Sequence, residues 1–176
     1  MKKIILSALA VAAITVSASA ASKVTDMSTV TLGYGSASST ELFASSEAAY
    51  GISYDFVGHA FEFLPEGVGV GLGLNVYGIG GTTTVAALTS AGGELKVGYT
   101  LGAKFDIPVF VRAGVGYGYT YNSADGAGGL QWSVDANWKI WKHLGVGVKY
   151  QSNSIDYTGV NSTTIDTTMG YVSYVF

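Results

Sequence analysis

The chain of 176 residues contains no cysteine, two prolines and two histidines. Without cysteine there is neither a disulfide staple nor a thiolate nucleophile. His59 and His143 alone make no Cys/His cluster able to hold zinc. Charge is scarce as well: 12% of residues are Asp, Glu, Lys or Arg, against about 25% in an ordinary soluble domain. Beyond the first 20 residues no apolar run is long enough to read as a membrane-spanning helix. Basic tracts are missing too, so nothing could track a nucleic-acid backbone. A chain this poor in charge, with no spanning helix, has to arrange its apolar groups in another period.

What is present begins with "MKKIILSALAVAAITVSASA". Two lysines precede an apolar run from Ile4 to about Val16, and Ala18-Ser19-Ala20 closes it with a small-x-small pattern. This is the layout of a cleaved secretory signal peptide, and the run is too short for a transmembrane anchor. Residues 1–20 are therefore read as the signal and 21–176 as a single domain. Lys2 and Lys3 leave with the signal, so the mature chain has seven basic against twelve acidic residues and a formal charge of −5.

In "VFVRAGVGYGYTY" (109–121), Val109, Val111, Ala113, Val115, Tyr117, Tyr119 and Tyr121 share one parity. Phe110, Arg112, Gly114, Gly116, Gly118 and Thr120 share the other. Side chains alternate across a strand, so one face is greasy and the other small or polar. "LQWSVDANWKI" (130–140) and "LKVGYTLGAKF" (95–105) repeat the rule; further copies are 29–36, 49–56, 68–76, 144–151 and 167–176. About eight strands of roughly ten residues result. At ~3.3 Å per residue and a tilt near 45°, each rises close to the ~25 Å apolar band of an outer-membrane barrel.

A soluble sandwich or lipocalin-type barrel would also alternate, but it would turn its large apolar groups inward. Here glycines fill the second parity and cannot build an aliphatic core. The strand charges Asp55, Lys96, Lys104, Arg112, Asp135, Lys139 and Lys149 all share that glycine parity. The pattern fits an inside-out, all-β fold: a transmembrane antiparallel up-and-down barrel of about eight strands, grease to lipid and charge to the lumen.

Segments 37–47, 79–93, 122–129 and 152–163 are long and mostly polar or small, whereas "DIP" (106–108) and "WKH" (141–143) read as tight turns. Long loops face outward in such barrels, and an even strand number puts both termini in the periplasm. "VGHAFEFLPEG" (57–67) is the misfit, too long for the side on which it falls. Phe56, Phe105, Trp138, Trp141, Tyr174 and Phe176 gather at the expected periplasmic rim. Tyr34, Tyr119, Tyr121, Trp132 and Tyr150 gather toward the outer one. Aromatic rings favour such headgroup boundaries.

The chain ends on "MGYVSYVF" (169–176), with Val172, Tyr174 and Phe176 on one face. This ending resembles the C-terminal signature of Gram-negative outer-membrane β-barrels, and the whole mature chain is similar to small eight-stranded barrels of the OmpA/OmpX or opacity-protein kind. The resemblance implies that Val172, Tyr174 and Phe176 form a signal read by the barrel assembly machinery, that the last strand closes on the first, and that outer-membrane lipid and lipopolysaccharide surround the wall. It also places the protein in the outer membrane of a Gram-negative bacterium.

Small barrels of this size include a lipid A deacylase and an acyltransferase. The deacylase family carries His-x-Ser-Asn; here "YQSN" (150–153) puts Tyr150 where the histidine belongs. Without a base Ser152 has no route to an alkoxide. "GVGVGLGLN" (67–75) lacks the helix a phosphate-cradling loop needs. No enzyme, cofactor or metal site is read. Register counted from the two tight turns puts Asp135 opposite Lys149 as a lumen salt bridge. It also puts Arg112 one level from Lys104; with Lys139 brought near Arg112 across the 122–129 loop, these form a cationic cluster near the periplasmic end, to be answered by Asp55, Asp106 or water. The leading expectation is a membrane-structural or surface-contact protein; the alternatives are a small pore through a glycine-lined lumen, or an adhesin or receptor acting through the outer loops, its ligand not legible.

Overall fold

In the computed structural model the alternation closes on itself. The structure describes residues 27–40, 42–43, 45–58, 63–80, 87–101, 109–122, 126–156 and 162–176. Eight strands follow in chain order: β1 (Thr29–Ser38), β2 (Glu47–Gly58), β3 (Val68–Ile79), β4 (Leu88–Thr100), β5 (Val109–Tyr121), β6 (Gly126–Trp141), β7 (Leu144–Ile155) and β8 (Thr163–Val175). Each pairs antiparallel with the next, and β8 pairs with β1, giving a closed up-and-down barrel. Closure removes the free edges that an open sheet would expose. The expected signal peptide lies outside the described residues.

Parity decides the two faces. Leu32, Tyr34, Ile52, Leu72, Leu95, Val115, Tyr117, Leu130, Trp132, Val148 and Val172 are exposed on the outer wall. Thr31, Ser53, Asp55, Asn75, Glu94, Lys96, Arg112, Gln131, Asp135, Lys149 and Gln151 are buried inside. Apolar outside and polar inside is the reverse of a soluble core and suits a wall in contact with lipid.

The lumen is capped by apolar residues at both ends. Met27, Val57, Phe110 and Val175 form a buried cluster at the end that carries the termini. At the far end Ala37, Phe43, Ala49, Ile79, Leu88, Ala127, Ile155 and Ile165 form the other, with Leu42 against it.

Two connections depart from the sequence expectation. Of the expected strand 95–105, the part up to Thr100 belongs to β4, and residues 102–105 lie outside the described residues. Leu101 N–H donates to Val109 O at 2.8 Å and Gly98 stands opposite Arg112, so the register differs by four residues from that counted across a tight "DIP" turn. Lys104, Phe105 and Asp106 lie outside the described residues. The physical reason is that alternation fixes parity, not register. A slip of an even number of residues keeps every apolar side chain outward. At the other turn, β6 and β7 pair in the expected register up to Lys139 opposite Gly145. A shift at Ile140 then brings Trp141 opposite Leu144.

Candidate functional site: the ionic core of the lumen

Three carboxylates and three cations occupy the middle of the lumen, all at least 97% buried: Asp55, Glu94, Asp135, Lys96, Arg112 and Lys149. Asp55 comes from β2, Glu94 and Lys96 from β4, Arg112 from β5, Asp135 from β6 and Lys149 from β7. Arg112 is the hub. Its Nε and Nη2 donate to Asp135 Oδ1 at 2.9 and 2.7 Å, a forked contact suited to the planar guanidinium. Nη2 also lies 3.2 Å from Asp55 Oδ2. Nη1 donates to Met27 O at 2.9 Å and Thr29 Oγ1 at 2.7 Å, tying the charge to the start of β1.

Lys96 Nζ sits among three carboxylates, 2.9 Å from Asp55 Oδ1 and 3.4 Å from both Glu94 Oε2 and Asp135 Oδ2. Asp55 meets both of its cations as charge contacts outside hydrogen-bond angles. Glu94 accepts from Gln131 Nε2 at 2.8 Å and Ser133 Oγ at 2.7 Å. Tyr171 Oη donates to Asp135 Oδ1 at 3.0 Å. The six charges sum to zero and all but Asp55 are also hydrogen-bonded, which is what charges need to stay buried.

The glycines make room for it. A Cβ at Gly73 would come 2.5 Å from Lys96 Cε and 2.7 Å from Asp55 Oδ1, and one at Gly114 would come 2.8 Å from Glu94 Oε2. The glycine-rich parity is therefore floor space for long charged side chains from neighbouring strands.

The expected residues are distributed as follows. Asp55, Lys96, Arg112 and Asp135 come together. Asp135 stands opposite Lys149 along the strands, but the Lys149 ammonium donates to Tyr77 Oη at 2.7 Å, and the ion pairs of Asp135 go to Arg112 and Lys96. Across β5 and β6, Arg112 faces Asp135 and not Lys139, which is half-buried four residues further along. Of the expected cluster of Lys104, Arg112 and Lys139, Arg112 is paired with Asp135 and Asp55, and Lys104 lies outside the described residues.

Glu94, Tyr77, Tyr171 and Gln131 were not anticipated. Glu94 lies two residues before Lys96 on the same face, and Tyr77 one residue beyond the expected end of its strand. Extending each alternating run at its end would have found both.

On the outer wall the aromatics form rims. At the terminal end Trp138 and Trp141 are exposed and Phe56 is half-buried. Toward the far end Tyr34, Tyr119 and Trp132 are exposed and Tyr121 is half-buried. Tyr119 stacks on Tyr121 at 6.3 Å, and Trp132 lies 5.2 Å from Tyr150. Phe176 N–H donates to Ser28 O at 3.1 Å. Its ring stands edge-on to Tyr174 at 5.2 Å and to Tyr54 at 6.1 Å, so the last side chain bridges the closing seam. Ser152 is buried opposite Asp166, and His143 lies at the terminal end of the barrel, stacked on Tyr174 at 5.2 Å.

Solved structures match the barrel fold. Neisserial surface protein A superposes with a TM-score of 0.55 at 12% identity, over 85% of this chain and 96% of that one. Ail, the attachment invasion locus protein of Yersinia pestis, gives 0.57 at 12% identity over 85% and 97%. The chain has the fold of the small outer-membrane β-barrels. Ail bound to the heparin analogue sucrose octasulfate gives 0.52 at 11% identity. No family profile matches the sequence, and no curated protein sequence does.

Proposed function

We propose that this outer-membrane barrel is a non-enzymatic, closed structural element of the Gram-negative outer membrane, with both termini in the periplasm and its contacts made at the far end. The observation that carries this reading is the filled lumen. A neutral ionic core spans the middle, and an apolar cluster closes each end. An eight-stranded barrel is only wide enough for side chains to fill, and here long polar groups cross it. That favours a plugged barrel over a small pore. In this reading Val172, Tyr174 and Phe176 serve as the assembly signal, and their seam-bridging position supports it.

The test is single-channel recording from the refolded mature chain in a planar bilayer. Silence from barrels shown to be folded is expected. Stepwise currents altered by Arg112→Ala would overturn the closed reading.

The far-end connections add a constraint on any surface contact. Segments 39–46, 80–87, 122–125 and 156–162 contain no Lys or Arg. A polyanion such as the heparin analogue held by Ail would find no cation there, so a contact partner is expected to be neutral or cationic.

A further inference from the structure

Across the seam between β1 and β8 the outer wall carries a groove of about 540 Å³, immediately above the turn between β6 and β7. Val30 stands opposite Tyr174 and Leu32 opposite Val172, giving it two apolar rows; Leu144 and Trp141 complete the wall. Lys142 and His143, the two residues of the turn, stand at its head.

Lys142 is unusual in two ways. It is the only non-glycine with positive φ among the described residues, at 22°, a conformation that glycine or asparagine adopts more readily. It also makes no ion pair among the described residues. The ring beside it is fixed: His143 Nδ1 is bonded to Val175 O at 2.9 Å, Val175 N–H donates to His143 O at 2.7 Å, and the imidazole stacks on Tyr174. Trp141 is 69% exposed next to it, where an indole marks headgroup depth. A cation with no counter-ion among the described residues therefore stands at headgroup level directly over an apolar groove.

We propose that this groove docks one anionic glycerophospholipid, with an acyl chain along Val30, Leu32, Val172 and Tyr174 and the phosphodiester against Lys142. The proposal rests on the reading that the barrel spans a membrane with its termini toward a phospholipid leaflet. Charge complementarity selects the occupant. A phosphodiester supplies the anion that Lys142 lacks among the described residues, and an anionic headgroup carries no cation of its own to compete. The four far-end segments, without Lys or Arg, offer no equivalent site, so the opposite rim is not expected to bind phosphate in this way.

The experiment is native mass spectrometry of the folded full-length mature barrel in mild detergent, titrated separately with phosphatidylglycerol and phosphatidylcholine. Wild type is expected to retain one phosphatidylglycerol about fivefold more tightly than phosphatidylcholine, the scale of one surface lysine. Lys142→Gln should abolish that preference. Leu32→Trp, on an exposed wall position that a folded barrel tolerates, should weaken both lipids while leaving the preference in place. Equal retention of the two lipids by wild type, or a preference unchanged in Lys142→Gln, would overturn the proposal. So would unchanged binding in Leu32→Trp, or lipid A displacing phosphatidylglycerol from the same site. Failure of the wild-type barrel to enter vesicles at all would instead sink the membrane reading on which it rests.

Discussion

The lumen has two polar regions solved with different chemistry. Toward the termini, Asp55, Glu94, Lys96, Arg112 and Asp135 form a charged layer in which every ion has a counter-ion within 3.4 Å. Toward the far end the layer is one of amides and hydroxyls. Thr120 Oγ1 donates to Ser90 Oγ at 3.1 Å, Asn153 Nδ2 to Ser90 Oγ at 3.0 Å, and Gln151 Nε2 to Asn153 Oδ1 at 3.4 Å. Here no charge compensates the gaps: both amide atoms of Asn75, and Oε1 of Gln131 and Gln151, have no hydrogen-bond partner among the described residues, whereas the unbonded oxygens of Asp55 face Lys96 and Arg112. The difference follows from cost. A buried ion left alone is penalised by several kcal/mol, a buried neutral amide by about 1–3. The charged layer has to match each ion with a counter-ion, and the amide layer can leave atoms unbonded.

This contrast orders the effects of mutation. Asp135→Ala should be the most damaging, because it removes the forked partner of Arg112 and one of the three carboxylates around Lys96. A loss of about 3–5 kcal/mol is expected, read as a fall in the urea midpoint of the barrel folded in vesicles. Asp135→Leu combined with Arg112→Met takes out one charge of each sign and should recover a large part of that loss. If the double variant were no better than the single one, charge balance would not be what holds the layer together.

Lys149→Met should cost less, about 1–3 kcal/mol. Its ammonium donates to the neutral hydroxyl of Tyr77, so its removal orphans a phenol and not a carboxylate. A loss as large as that of Asp135→Ala in the same urea titration would mean that Lys149 belongs to the ionic core in energy as well as in position.

How much of this was legible follows the same physics. Alternation in 109–121 and 130–140 assigned the faces of β5 and β6 residue by residue, because one face must meet lipid. Once a closed barrel with this parity is accepted, the inward course of Asp55, Lys96, Arg112, Asp135 and Lys149 follows. What alternation cannot carry is register. Placing Arg112 opposite residue 102 or opposite Gly98 satisfies the pattern equally well, and only the ion partners distinguish them. The turn at 142–143 was short enough to fix the pairing of Asp135 with Lys149 along the strands. Even there, the direction taken by a four-carbon lysine stem was decided by Tyr77, which enters from β3 across the lumen. The role of the glycines could not be read at all without the neighbours that fill the space above them.

The smallest effect is the sharpest probe of the amide layer. Asn75 is 4% exposed and lies opposite Ser53 and Gly92, yet neither its Nδ2 nor its Oδ1 is hydrogen-bonded among the described residues. Leucine has nearly the same shape without the polar atoms, so Asn75→Leu exchanges an unsatisfied amide for apolar contact. Replacing buried polar groups by apolar ones of the same shape is nearly neutral or stabilising. The expected change in the urea midpoint is therefore close to zero, or a gain of up to about 1 kcal/mol. A loss comparable to that of Lys149→Met would mean that Asn75 is held as firmly as the ions below it. The lumen would then be a single polar network, and the division drawn between its two layers would fail.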